Sequence, residues 1–164
     1  MDKVRLLTII VVLVSGCISS QGETEAFFCP EDKCEQRVVN AISHAEHSLD
    51  AAVYSITSKE IMDALLEARD RGVRVRAVSD YLQSASKSSL VNELNSRGIE
   101  TRVIPGRTMH NKFLVLDNET VITGSYNWTA NADERNDENL AFIFSRETAS
   151  KYSEEFFELW VEAG

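Results

Sequence analysis

Residues 110–125, HNKFLVLDNETVITGS, restrict the fold of this chain more than any other stretch. They hold two short apolar runs, HNKFLVLD and TVITGS, parted only by Asn118 and Glu119. Runs joined this tightly pair as an antiparallel hairpin. The chain before them follows a different rule. LDAAVYSI (49–56), VRVRAVSD (73–80) and IETRVIPG (99–106) read as strands, each preceded by a segment of helical spacing. Helices between strands favour parallel pairing. ENLAFIF (138–144) adds a strand, and RETASKYSEEFFELWVEA (146–163) closes as an amphipathic helix carrying Phe156, Leu159 and Trp160. The expected fold is α/β: one mixed β-sheet flanked by helices, parallel where helices intervene and antiparallel at the hairpin.

The helices carry local signals. Residues 31–49 place Val38, Val39, Ile42 and Ala45 at helical spacing. In 57–72, Thr57 and Glu60 suggest a capping box, Ile61, Leu65 and Ala68 form the buried stripe, and Gly72 ends the helix. Residues 86–98 make the next helix, stopped at Gly98. No internal repeat or linker divides residues 27–164, so they form one domain.

The first residues follow another logic. MDKVR is basic and LLTIIVVLV is a nine-residue apolar run, short for a membrane span. VSGC follows and resembles a bacterial lipobox. Residues 1–16 are therefore expected to be a signal peptide, Cys17 the lipidated new N-terminus, and 17–26 a polar tether. This places the domain outside the cytoplasm, anchored to the outer face of the cell membrane. In that compartment Cys29 and Cys34 suit a local disulfide. The alternative is a zinc site, since His44 and His47 complete C-x4-C-x9-H-x2-H. Two histidines three apart on one helix are more often a polar face, which favours the disulfide.

Net charge is −9, which disfavours a general nucleic-acid binder. The charge is uneven, however. Residues 69–112 hold nine Lys/Arg against four Asp/Glu, and this basic stretch ends at His110 and Lys112. It suits an anionic substrate, unless Arg69, Arg71, Arg74 and Arg76 merely flank a solvated turn.

His110 and Lys112 share one face of their strand, opposite Asn111, Phe113 and Val115. A lysine in a central strand needs an anionic partner, and a phosphate is one candidate. The GSYN turn offers the Ser125 hydroxyl and the Asn127 amide, and the hairpin returns that turn beside the first strand. A neutral imidazole there can attack phosphorus, given an acceptor that fixes its tautomer. Glu138 is the candidate acceptor.

The spacing H-x-K-x4-D-x6-G-S-x-N, with TGSYNWT and RNDENL around it, resembles the phospholipase D superfamily, and specifically its small single-motif members of the bacterial endonuclease and mitochondrial cardiolipin hydrolase (Zucchini) type. The resemblance covers residues 27–162. It implies a phospholipase D-like α/β sandwich with His110 as nucleophile, Lys112 and Asn127 binding phosphate, Ser125 assisting, Glu138 orienting the histidine and Asp117 bracing the site. It implies no metal and no cofactor, and the region shows no carboxylate cluster suited to magnesium. A phosphohistidine route needs a second acid–base group. For a single motif the resemblance supplies it by a homodimer, with two His110 residues facing across the twofold axis.

The expected activity is that of a metal-independent phosphodiesterase. The basic stretch and single-motif architecture favour a nuclease. The lipid anchor and net acidity favour the alternative, a phospholipase D or cardiolipin hydrolase acting on phospholipid headgroups. A non-catalytic surface module binding anionic polymers is the remaining reading, and it would have no use for a nucleophile with an orienting acid.

Overall fold

The computed structural model describes residues 22–164; the expected signal peptide and Cys17 lie outside the described residues. The chain runs β1 (Glu23–Cys29), α1 (Cys34–His44), β2 (Ser48–Val53), α2 (Lys59–Asp70), β3 (Arg74–Asp80), α3 (Tyr81–Ser84), α4 (Val91–Ser96), β4 (Glu100–Ile104), β5 (Lys112–Leu116), β6 (Thr120–Gly124), α5 (Ala130–Glu134), β7 (Glu138–Phe144) and α6 (Arg146–Glu162). The seven strands form one sheet in the order β1-β7-β6-β5-β2-β3-β4. β2, β3 and β4 are parallel neighbours, and β5 joins β2 antiparallel. The mixed α/β sheet expected from the sequence is thus present.

Strand β2 shows why the sheet is central. Leu49, Ala51 and Val53 face the core under α1 and α2, while Ala52 faces the core under α6. Both faces are covered, so the strand is apolar at almost every position. Its one buried exception is Asp50, 6% exposed, which Arg76 holds with two bonds of 2.8 Å. The Arg76 guanidinium lies over Phe156 and Trp160 of α6, so this buried ion pair belongs to the helix–sheet interface.

The expected hairpin is formed by β5 and β6, with its turn one residue earlier than the sequence reading placed it. Asp117 and Asn118 adopt φ of 53° and 55°, and Glu119 N–H donates to the Leu116 carbonyl. Two consecutive left-handed residues are what a type I′ turn demands, and Asp and Asn tolerate that region best after glycine.

Other expectations shift. The strand β1 takes in residues 23–26, which the sequence reading assigned to the tether, and pairs antiparallel with β7 from Glu23 to Cys29. α1 ends at His44, so His47 is not on the same helix. Cys29 and Cys34 are joined as a disulfide with Cα atoms 5.7 Å apart, leaving neither thiol for zinc. The cap of α2 is Ser58 rather than Thr57: its hydroxyl accepts the Ile61 N–H and donates to Glu35. No helix among the described residues is long and apolar enough to cross a membrane.

Candidate active site

One end of the sheet gathers the C-terminal ends of β2, β3 and β4 with the N-terminal end of β5 and the turn after β6. In α/β sheets this is where loops converge on ligands. The backbone straps the loops together. Tyr54, just past β2, donates its N–H to the Asn111 carbonyl at 2.9 Å. Trp128 N–H donates to the Ser55 carbonyl, and the Trp128 carbonyl accepts from Thr57 and Ser58. The segments 54–58, 109–112 and 125–128 are therefore fixed against each other.

His110 lies two residues before β5, exposed. Its ring stands 4.6 Å from that of Tyr54, tilted by 58°. Lys112 opens β5, half-buried; its ammonium donates to the His110 carbonyl at 2.7 Å and sits 5.1 Å from the Tyr54 ring centre. Partial burial holds the Lys112 pKa below the usual lysine value of 10.5, and the charge of Glu138 opposes that shift.

Gly124 permits the turn into Ser125. A side-chain carbon there would meet the Asn139 carbonyl oxygen at 2.1 Å, and its φ of +155° suits glycine. Ser125 donates its hydroxyl proton to Glu138 and accepts from the Asn139 N–H at 3.1 Å. The Asn127 side-chain oxygen is buried without a hydrogen-bond partner among the described residues, so this acceptor is not spent on holding the fold.

Two placements differ from the sequence reading. Glu138 makes no hydrogen bond to His110 among the described residues: it accepts from Ser125 and from the Asn136 amide at 3.1 Å. Asp117 is at the far end of β5, roughly 16 Å along the strand from Lys112 at about 3.3 Å per residue. There its carboxylate accepts the backbone N–H groups of Glu46, His47 and Ser48 at 3.0, 2.7 and 2.8 Å. It braces the hairpin to the entry of β2 rather than the end that carries His110.

The basic stretch is also reassigned. Arg69, Arg74, Arg76, Arg97, Arg102 and Arg107 pair with carboxylates, and Arg71 holds the Ile42 and Ala45 carbonyls. These guanidinium groups are thus engaged within the protein, on its own carboxylates and carbonyls. The sequence reading missed Tyr54 and Gln83, whose Nε2 donates to the Tyr54 hydroxyl at 3.0 Å. Nothing in the strand pattern of LDAAVYSI marks that tyrosine as facing the histidine.

Comparison with known proteins agrees with this fold. A family model described as cardiolipin synthase, PLD-like domain, matches residues 38–160. A phospholipase D of Rickettsia felis is 37% identical over 134 residues, covering 80% of this chain and 66% of that protein. A mitochondrial cardiolipin hydrolase of Chlamydomonas reinhardtii is 30% identical over 141 residues, covering 80% of this chain and 63% of that one. The chain thus spans just under two thirds of the length of these relatives. The crystal structure of Nuc from Salmonella typhimurium, a phospholipase D family member, superposes with a TM-score of 0.83 at 31% identity, covering 87% of this chain and 97% of that one. With the motif, the sheet and these matches in agreement, the chain belongs to the phospholipase D superfamily.

Proposed function

We propose that this protein is a metal-independent phosphodiesterase acting through a phosphohistidine at His110, with nucleic acid as its substrate. The observation that carries the chemistry is the convergence of an exposed imidazole and a half-buried lysine on one aromatic ring. Lys112 neutralises a phosphate oxygen and Asn127 adds a neutral donor. The His110 ring attacks phosphorus, and a second acid–base group protonates the leaving oxygen and then activates water. We place that group on a second copy of the chain, as a second His110 across a twofold axis. We further propose that the protein is exported and anchored through Cys17.

The nucleic-acid reading is supported by the openness of the site. His110 stands exposed at a rim, with Tyr81, 53% exposed, on the α3 turn that also carries Gln83. An accessible aromatic suits a stacked base. A groove of about 400 Å³, lined by Phe27, Leu116, Phe142 and Phe144 together with Arg37 and Asp117, opens instead at the other end of β5. The names of the Rickettsia and Chlamydomonas relatives favour the second reading, a phospholipid headgroup as substrate.

The test is to incubate the protein with EDTA and either plasmid or vesicles containing cardiolipin or phosphatidylcholine. Plasmid cleavage is expected, abolished in His110→Ala. Lipid hydrolysis without plasmid cleavage would overturn the substrate; unchanged turnover in His110→Ala would overturn the nucleophile. Sedimentation should show a dimer, and an active monomer would contradict the shared site.

A further inference from the structure

His110 makes no side-chain hydrogen bond among the described residues, and Glu138 is bonded elsewhere. What orients the imidazole is therefore a question that the motif itself leaves open. The groups packed around it answer it. Tyr54 lies ring to ring with His110 at 4.6 Å, a tilted arrangement that aromatic pairs favour. Its hydroxyl accepts from Gln83 Nε2 at 3.0 Å. The Gln83 backbone N–H donates to Asp80 Oδ1 at 3.0 Å, and Asp80 Oδ2 accepts the N–H of Met109 at 3.1 Å. Met109 precedes His110. A closed circuit thus runs from the end of β2 through the end of β3 to the segment before β5. Asp80, the carboxylate that joins its halves, is 3% exposed.

We infer that Tyr54 is the positioning residue of the reaction, holding the His110 ring and the Lys112 ammonium over its aromatic face while Gln83 locks its phenol. This rests on the phosphohistidine reading. In the first step a lone pair of the neutral imidazole forms the N–P bond. The ester P–O bond breaks, and its electron pair goes to the leaving oxygen, which takes a proton from the second histidine. The phosphorylated ring, protonated at its other nitrogen, carries positive charge. In the second step water oxygen bonds to phosphorus, the N–P pair returns to the ring, and the proton of water goes to the second histidine. An aromatic face is attractive to a cation, so Tyr54 favours the charged ring over the neutral one. That gain belongs to kcat rather than to binding.

The test uses the full chain with bis(p-nitrophenyl) phosphate, following steady-state kinetics and the rate at which quenched enzyme carries a phosphoryl group. Tyr54→Leu is expected to lower kcat and phosphoenzyme formation roughly ten- to hundredfold, with KM within about threefold, as misplacement of a reacting group does. Tyr54→Phe keeps the face but loses the phenol's anchor, so it should come back to within about threefold of the wild-type rate. Gln83→Leu, which removes only the phenol's anchor and should leave folding intact, is expected to lower kcat about threefold. Tyr54→Leu at the wild-type rate, or Tyr54→Phe as impaired as Tyr54→Leu, would overturn the inference, and Gln83→Leu at the wild-type rate would overturn the lock. Wild-type enzyme that turns over without any phosphoenzyme would instead overturn the nucleophile reading.

Discussion

At the scale of single residues, Lys112 shows how burial sets a working range. The ammonium must be charged to hold phosphate. Its pKa is lowered, so that charge is lost at a lower pH than on an exposed lysine. We predict that KM rises with pH before an exposed lysine, with its usual value of 10.5, would lose its charge, while Lys112→Arg, charged throughout, gives a flatter profile. Parallel KM curves for the two proteins would contradict this role. The sequence exposed Lys112 and His110 through their spacing. It concealed Tyr54, because a tyrosine at the end of an apolar strand reads as core until the chain before β5 is seen folded against it.

At the scale of elements, the β5–β6 hairpin depends on Asp117. Burial alone would raise its carboxyl pKa, but the three backbone N–H groups and His47 outweigh burial and hold it below its usual value of 3.8. A depressed carboxylate stabilises the folded state above its unfolded pKa, and that contribution is lost as pH falls through the folded value. We predict that Asp117→Ala lowers stability by about 2 kcal/mol at neutral pH, from lost bonds to a charged acceptor. The deficit should shrink below about pH 4, where wild type loses the same contribution. Thermal unfolding across pH measures this, and equal midpoints at neutral pH would contradict it. The hairpin itself was plain from the tight joint between two apolar runs. Its turn lies one residue earlier than the spacing implies, because Asp117, which ends the run HNKFLVLD, takes a left-handed conformation. β1 escaped notice for a related reason: ETEA is polar, and an edge strand exposed on most of its length carries no apolar run to announce it.

At the scale of the molecule, the parallel half and the hairpin were legible from element order alone, since helices force crossovers and a short turn forbids them. The charge map was not. Counting along the chain made a basic stretch beside the site, whereas folding turned most of those arginines toward carboxylates and carbonyls of their own sheet and helices. Sequence neighbourhood and spatial neighbourhood coincide poorly across a sheet whose strands run in both directions. The central claim, that His110 itself bonds to phosphorus, can be read directly. The full chain is mixed with bis(p-nitrophenyl) phosphate in EDTA, quenched within one turnover, and its peptides are mass-analysed. An aryl phosphoryl group is expected on the peptide bearing His110, absent from His110→Asn. Rapid turnover by wild type with that peptide unmodified at every quench time would contradict it.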